Sequence, residues 1–207
     1  RRQSNGNYNK GRIHGIRIPR RLPGNTRDER LRAVALLHII IAPDRRLKLR
    51  SAPVGEVDDA VRRLMDDMLE TMHAAPGIGL SAVQVGVTKR IIVLDVSAGE
   101  GESHLLRLVD PEITWLSPET VKIEEGCLSF PEHFGEITRP SAVKARYTDE
   151  NNQPREIEAD GLLARCIQHE MDHLDGVLMV DHLSALRRGM ILRKLTKLRK
   201  AEDLKSA

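Results

Sequence analysis

The chain has 207 residues, of which 40% are hydrophobic and 30% are charged, and its formal net charge is +3 at pH 7. This length is enough for one domain with its own apolar core. The sequence contains no run of eighteen apolar residues, so it predicts no membrane-spanning helix. Two cysteines, Cys127 and Cys166, are too few for a disulfide framework. We therefore expect a reducing compartment, in which a free thiol can bind a metal ion.

Positive charge is concentrated at the two ends of the chain. Residues 1–32 hold ten Lys or Arg against two acids, residues 183–207 hold eight against two, and residues 33–182 carry a net charge of −11. Basic ends on an acidic body predict a polyanionic partner reached through the termini, with merely solubilising tails as the alternative. We therefore predict three parts: a disordered basic extension, a central domain, and a basic C-terminal helix with its tail.

Apolar periodicity begins after the basic extension. It predicts a strand or extended segment over 34–41 and a helix over 57–74 with a methionine-rich apolar face. The glycines and small residues of 77–86 permit close backbone approach to another strand or to a ligand. Further strands are predicted over 90–96, 105–109, 121–124, 142–148 and 155–159. The segments 111–118 and 131–140, which begin and end in proline, are predicted to be irregular and a loop, respectively.

The densest motif follows the last predicted strand. Apolar residues recur there at spacings of three and four, between Asp160 as the helix N-cap and Gly176 as a left-handed C-terminal residue. The helix carries His169-Glu170-x-x-His173, and a spacing of four places both imidazoles on one face, one turn apart. Two such nitrogens can bind one metal ion, with Glu170 beside them to transfer a proton. The alternative is a solvated helix face without a ligand, so a third donor is needed.

A last helix is predicted over 184–200, with apolar residues on one side and basic residues over the rest of its surface. Strands followed by helices predict an α+β fold. We expect mainly antiparallel β-sheets packed around a central helix that carries the His-Glu-x-x-His motif, with one helix N-terminal and one C-terminal to this core.

Two zinc-protease patterns would supply a third metal ligand, and neither fits. One requires a histidine six residues after the second, where this chain has Met179; the other requires a downstream glutamate, and the only one is Glu202 in the charged tail. Upstream, Cys127 lies in a Glu-Gly-Cys turn after a predicted strand, where a thiolate can face a neighbouring helix. Cys166 is the competing donor, but we interpret it as a core or pocket-wall residue turned away from the histidine face.

Three blocks, in this order, resemble the peptide deformylase family. They are Gly-Ile-Gly-Leu-Ser-Ala-Val-Gln at 77–84, Glu-Gly-Cys-Leu-Ser at 125–129 and Gln-His-Glu-Met-Asp-His at 168–173. The resemblance extends over most of the chain beyond the basic extension. It implies a hydrolase that removes the formyl group from the N-formylmethionine of newly made polypeptides, and it makes 33–182 the catalytic domain.

The resemblance also implies one divalent metal ion, ferrous iron in the native form of the family, with Zn²⁺, Ni²⁺ or Co²⁺ as alternatives. The implied ligands are Cys127, His169 and His173. Glu170 would take a proton from the attacking water and return it to the leaving amine. The Gln84 amide and the Leu128 backbone N–H would stabilise the developing oxyanion.

Contacts with the substrate follow from the same resemblance. Gly79 would approach the substrate backbone, and Ile78 and Cys166 would line the methionine pocket. Two positions depart from the family pattern and leave the preference for substrate side chains open. They are Phe134, where many bacterial members have arginine, and Arg165 on the motif helix, where some members have an apolar pocket residue. Ser81 also departs, since it replaces an alanine, and its hydroxyl needs a hydrogen-bond partner if it is buried.

The expected partners are N-formylmethionyl nascent peptides and, through the basic C-terminal helix, the ribosome near the exit tunnel, where ribosomal RNA supplies negative charge. Neither a membrane nor DNA is expected. Two rival functions are an inactive relative that only docks on the ribosome and, less favoured, a metalloprotease. We expect a bacterial cytoplasmic location, with an organelle as the alternative, because the basic extension is a poor transit peptide: it has only Ser4 and Thr26 as hydroxyl residues and no clear amphipathic face.

Overall fold

The protein is described by a computed structural model that covers residues 35–96 and 105–205. Within these residues it contains three α-helices and seven β-strands. In chain order they are α1 Asp59–Ala74, β1 Gly79–Ser81, β2 Ile91–Asp95, β3 Leu105–Leu116, β4 Thr120–Gly126, β5 Phe134–Pro140, β6 Ala142–Thr148, β7 Pro154–Asp160, α2 Gly161–Leu174 and α3 Ala185–Lys205. None of these helices has both the length and the apolar character needed to cross a membrane. The predicted extension, 1–32, lies outside the described residues.

The strands form two antiparallel sheets. Five strands follow the order β1-β2-β3-β6-β7, while β4 and β5 form a separate two-stranded sheet. Strand β2 is paired on both sides, and its residues Ile91, Ile92, Val93 and Leu94 are completely buried, which explains its uninterrupted apolar sequence. The predicted α+β fold with mainly antiparallel sheets is confirmed.

Helix α1 begins where the Asp58 side chain accepts a hydrogen bond from Val61 N at 2.8 Å, as an N-cap residue does. Its buried face is formed by Met65, Met68 and Met72, which pack with apolar residues of β1 and β2. Flexible methionine side chains fill irregular space well, so this cluster is core, as the sequence predicts.

Helix α2 occupies the centre of the fold. Ile167 and Leu174 pack against the five-stranded sheet, including Ile92 and Leu108, and the polar residues of the motif are buried as well. The chain then turns at Gly176, which has a φ of +74°; a Cβ there would lie 2.6 Å from the Lys48 carbonyl oxygen, so glycine is required.

Two predicted irregular segments are strands, and both predictions were wrong. Most of 111–118 continues strand β3, where register shifts between Val109 and Glu112 accommodate Pro111. Most of 131–140 forms strand β5, whose alternation of buried and exposed residues was hidden in the sequence because a glycine and an arginine stand at buried positions. The extended segment 35–41 joins the core through single hydrogen bonds rather than as a strand, with Ile40 N donating to Gln84 O at 2.7 Å.

Candidate metal centre and its cavity

Three donor side chains from two parts of the chain come together at the end of strand β4. Cys127 follows β4 directly, and His169 and His173 lie on α2; their donor atoms are all within 4.8 Å of one another. Cys127 Sγ lies 3.2 Å from His173 Nε2, and the two imidazole centroids are 5.1 Å apart. A thiolate and two imidazoles are donors that bind divalent transition metals, and three ligands leave a coordination position open. This arrangement fits one metal ion.

A chain of charged groups begins at the Nδ1 atom of His169 and holds its ring in place. This Nδ1 lies 3.0 Å from Glu125 Oε2, which leaves the other ring nitrogen for a metal. Arg139 Nε donates to Glu125 Oε1 at 2.7 Å, and Arg139 Nη1 donates to Asp172 Oδ2 at 2.9 Å. His182 Nε2 lies 2.8 Å from the same Asp172 oxygen. A carboxylate behind a metal-binding imidazole fixes the orientation and tautomer of the ring.

The protonation of this network follows from its contacts. Burial acts to raise the pKa of Glu125, but hydrogen bonds from His169 and Arg139 outweigh it and lower the pKa to about 2. Glu125 is therefore an anion at neutral pH. Burial lowers the pKa of His173 well below its ordinary value, which favours the neutral imidazole that binds metals. The buried Nδ1 of His173 has no hydrogen-bond partner among the described residues.

Gln84 is oriented by Ser81. The Ser81 backbone N–H and hydroxyl both donate to Gln84 Oε1, at 2.8 and 2.9 Å, so the hydroxyl that replaces alanine has its partner. Gln84 Nε2 then faces the cysteine, 3.7 Å from Cys127 Sγ and 3.2 Å from Ser129 Oγ. Because the amide oxygen is occupied, the amide N–H group is the part of Gln84 directed at the metal centre.

Glu170 is buried directly beside the donor group. Burial raises the pKa of Glu170 to about 7, and its Oε2 has no hydrogen-bond partner in the part of the chain that the structure describes. A carboxyl with a pKa near neutrality can both accept and release a proton. Strand β1 passes so close that a Cβ on Gly79 would lie 2.6 Å from Glu170 Oε1. Glycine at 79 is thus required by the glutamate, a reason that the sequence did not reveal.

A cavity of about 550 Å³ opens at the donor group. Its lining includes Cys127, His169 and Glu170. The three residues predicted to contact substrate also line it: Ile78, Gly79 and Cys166. Much of the remaining wall is apolar, with Ile39, Ile41, Leu128, Phe130 and Phe134. Gln84 and His173 are not among the lining residues.

The orientation expected for Cys166 was wrong. Residues three and seven positions apart lie on the same side of a helix, so Cys166 faces the same way as His169 and His173 and lines the cavity. It is nevertheless not part of the donor group. Burial raises the pKa of the Cys166 thiol to about 12, which keeps it neutral and poorly suited to bind a metal ion.

The sequence motifs assign no role to Glu125 and do not connect Arg139 with His169. The signal for Glu125 was present, because a carboxylate two residues before a cysteine ligand, at the end of a strand, can reach a neighbouring imidazole. Arg139 gave no signal, since the segment around it was predicted to be a loop. Only the alternation of β5 shows that its side chain is buried.

These features define an α+β protein with a single candidate metal centre among the described residues and a mainly apolar cavity beside it. A family model described as polypeptide deformylase matches residues 36–189. Peptide deformylases of Methylocella silvestris and Phenylobacterium zucineum are 53% and 54% identical to this chain, covering 79% and 81% of it and 85% and 99% of their own lengths. The chain belongs to the polypeptide deformylase family.

Solved structures support the same family assignment. The crystal structure of peptide deformylase from Ehrlichia chaffeensis is 42% identical, with a TM-score of 0.78, and covers 81% of this chain and 99% of that one. A second structure of the Ehrlichia chaffeensis enzyme, in complex with actinonin, is 44% identical, with a TM-score of 0.75, and covers 79% of this chain and 97% of that one. The predicted family and the predicted enzyme class are confirmed.

Proposed function

We propose that this chain removes the N-formyl group from the formylmethionine of newly made polypeptides, with one divalent metal ion held by Cys127, His169 and His173. Membership of a metal-dependent family supports this function. The observation that carries the proposal for these residues is their convergence, with all three donor atoms within 4.8 Å, beside the buried Glu170.

A divalent ion at this position would supply Lewis acidity, which activates water and polarises the formyl carbonyl. The protein's own contribution begins with Glu125 and Arg139, which hold His169 in place. The Gln84 N–H group faces Cys127 and restrains the thiolate. These contacts keep the donor set fixed before substrate arrives, so little reorganisation is needed during reaction.

Glu170 is the proposed proton carrier. It takes a proton from the water that attacks the formyl carbon and delivers it to the amine of methionine as the C–N bond breaks. Its position supports this role, because it lines the cavity, is adjacent to His169 in sequence, and has an oxygen without a partner. A pKa of about 7 suits a group that must act first as a base and then as an acid.

The oxyanion that develops on the formyl group needs hydrogen-bond donors. Leu128 lies in the turn closed by Phe130 N donating to Cys127 O at 2.8 Å, and its own N–H has no acceptor among the described residues. We propose that this N–H and the Gln84 amide stabilise the oxyanion. Loss of one such donor typically costs about 2.7–4 kcal/mol of barrier.

The apolar cavity is proposed to bind the methionine side chain. Ile78 and Cys166 form part of its wall, and Gly79 allows the substrate backbone to approach β1. For the ion itself we propose Fe²⁺. The donor set does not distinguish it from Zn²⁺, Ni²⁺ or Co²⁺, because affinity order and cellular supply both act on such a site.

The test is turnover of formyl-Met-Ala-Ser under anaerobic conditions, with metal content determined on the same samples. Wild type is expected to bind one metal ion and deformylate the peptide. Glu170→Ala should keep the metal and lose about 10²–10⁴-fold in kcat. An exposed glutamate far from the donor group, in Glu158→Ala, is the matched control and should behave like wild type.

The metal content of two variants should distinguish the roles of Cys127 and Cys166. Cys127→Ala is expected to lose the metal, while Cys166→Ala should retain it, because only Cys127 belongs to the donor group. Metal-loaded wild type without any deformylation would overturn the proposal and favour the inactive, ribosome-docking alternative. Cleavage of an internal bond in an unformylated peptide would favour the metalloprotease instead. Inhibition by actinonin, which is bound in the Ehrlichia chaffeensis structure, is a further expected result.

We also propose that α3 docks on the ribosome and that the protein acts in the bacterial cytoplasm. Five basic residues of α3 are exposed and make no ion pair with other described residues: Arg193, Lys194, Lys197, Arg199 and Lys200. A solvated stripe of positive charge suits the phosphates of ribosomal RNA. The two relatives named above are bacterial, which supports that setting.

A further inference from the structure

One arginine of the described chain is partly buried without an acidic partner. Five arginines there are not exposed: Arg62, Arg90, Arg107, Arg139 and Arg165. The first four each donate to a carboxylate at 2.7–2.9 Å. The Arg165 side chain makes no hydrogen bond or ion pair with any residue that the structure describes. Removing a guanidinium from water has a cost that a partner normally offsets, so the exception requires a reason.

The location of Arg165 supplies that reason. It lines the same cavity as His169 and Glu170, and it is the one Lys or Arg among the described lining residues. The positive charge of Arg165 acts to lower the pKa of the Cys166 thiol, although the larger effect of burial raises it. The electrostatic effect of Arg165 therefore reaches another residue of the cavity wall. The partner of Arg165 is therefore to be sought in what enters the cavity.

Helix geometry limits where that partner lies along a bound peptide. Arg165 precedes His169 by four residues, which corresponds to about 6 Å along the helix axis on the same face. An extended peptide advances about 3.3 Å per residue. A peptide whose formyl group is at the metal centre, and which runs along α2 towards its N-terminus, would bring its second or third residue to the level of Arg165.

We propose that Arg165 determines specificity by binding a carboxylate of the substrate, two or three residues after the formyl group; this inference rests on the proposed deformylase function. The carboxylate has two sources, an Asp or Glu side chain in a nascent polypeptide or the C-terminal carboxylate of a short peptide. Four acids line the cavity, and none of them forms an ion pair with Arg165. Glu125 is already bonded to Arg139, Glu124 and Glu132 are exposed, and the buried Glu170 has an oxygen without a hydrogen-bond partner among the described residues.

Three pairs of formyl peptides test the proposal with both sources separated. In two pairs the C-terminus is amidated and the members differ only in an Asp or Asn side chain. One pair has it at the second residue, formyl-Met-Asp-Ser-NH₂ and formyl-Met-Asn-Ser-NH₂. The other has it at the third residue, formyl-Met-Ala-Asp-NH₂ and formyl-Met-Ala-Asn-NH₂. The third pair is formyl-Met-Ala-Ser as free acid and as amide. Wild type, Arg165→Gln and Arg165→Lys are compared. Arg63→Gln is the matched control, because Arg63 is an exposed arginine of α1 outside the cavity lining.

Wild type should prefer the carboxylate member of at least one pair by about fivefold in kcat/KM, as expected for one partly solvated ion pair. The preference should lie in KM, since the contact is the same in ground and transition states, and it should weaken at high salt. Arg165→Gln should bring the ratio to about one, Arg165→Lys should retain part of it, and Arg63→Gln should keep the wild-type ratio.

A preference in a side-chain pair supports binding of nascent-chain acids, and a preference confined to the free-acid pair supports binding of the terminal carboxylate. The inference would be overturned if wild type had the same kcat/KM for both members of all three pairs. It would also be overturned if Arg165→Gln lowered kcat/KM equally for both members of every pair. Failure of metal-loaded wild type to deformylate any of the six peptides would instead overturn the proposed function, so the two failures are distinguishable.

Discussion

Helices α2 and α3 are both rich in polar residues, yet they place them in opposite environments. In α2, nine of the fourteen residues are buried, among them Gln168, His169, Glu170 and His173. In α3, Ile191 and Leu195 are the buried residues in the portion whose side chains are described, and the five basic residues from Arg193 to Lys200 are exposed. The same type of sequence pattern, an apolar stripe beside polar residues, thus gives a central helix in one case and a peripheral helix in the other.

This difference indicates where single substitutions should affect stability and activity most. Polar groups buried on α2 lose their hydration and are costly unless a partner holds them, so each contact there is sensitive to change. Charges on α3 remain hydrated and contribute little individually. Substitutions around α2 should therefore have large effects on stability and activity, and substitutions on α3 should have small, salt-dependent effects.

Arg139→Ala should give the largest effect on stability. It removes the cation from the buried pair with Glu125, whose side chains are 7% and 4% exposed, and leaves that carboxylate with the contact to His169 as its remaining side-chain partner among the described residues. Breaking a buried pair on one side costs about 3–5 kcal/mol, and metal affinity should fall about 10–100-fold because His169 loses its support. Denaturant unfolding and metal titration measure both effects.

The matched control is Arg146→Ala, which breaks the exposed pair with Glu112, where the side chains are 61% and 59% exposed. It should cost about 1 kcal/mol or less. Equal losses from the two substitutions would contradict the distinction between the environment of α2 and the surface.

The contribution of Glu125 should depend on pH. The pKa of Glu125 is about 2 in the folded protein against an ordinary value of 4.5, which corresponds to a stabilisation of about 3 kcal/mol at most. Since the folded pKa is the lower one, this stabilisation is present above pH 4.5 and is lost as the pH falls towards 2. The stability difference between wild type and Glu125→Gln should shrink over that window in acid-unfolding curves of the metal-free proteins. A constant difference across the window would show that the charge of Glu125 is not the cause.

Two glycine substitutions compare the surroundings of α2 with those of α3. In Gly79→Ala the new methyl would lie 2.6 Å from Glu170 Oε1, so the carboxylate must move; kcat should fall about 100-fold, since small displacements of catalytic groups have effects of this size. In Gly189→Ala on α3, the nearest atom is 3.7 Å away, so no clash arises. This variant should be more stable by about 0.5–1 kcal/mol with unchanged turnover. A fully active Gly79→Ala enzyme would show that the position of Glu170 tolerates the shift.

The smallest effect on the enzyme itself is expected from Lys194→Glu with Lys197→Glu. Both lysines are exposed on α3, so folding and turnover of formyl-Met-Ala-Ser should not change. Co-sedimentation with ribosomes should weaken, most clearly at low salt, because two phosphate contacts become repulsive. Reversal of two exposed basic residues outside α3, Arg63→Glu with Lys89→Glu, changes the net charge by the same amount and is the control. Unchanged sedimentation of the α3 variant would remove the support for docking through this helix.

Local patterns in the sequence were sufficient for much of the fold and for the donor set. The four-residue spacing of His169 and His173 requires only helical geometry, and the apolar faces of α1 and α2 follow from periodicity. Strand β5 could not be found in this way. Its buried positions are Gly135, Ile137 and Arg139, and neither glycine nor arginine signals a buried strand position.

The sequence by itself therefore determined the family, the helix with its two histidines, and Cys127 as the favoured third donor, because these depend on local spacing and on short motifs. Only the tertiary structure decided what surrounds them. The contact of Glu125 with His169 spans 44 residues, and the closeness of Gly79 to Glu170 depends on how β1 packs against α2. Such contacts join distant parts of the chain, and the energy that fixes them comes from burial and charge pairing, which no local pattern records.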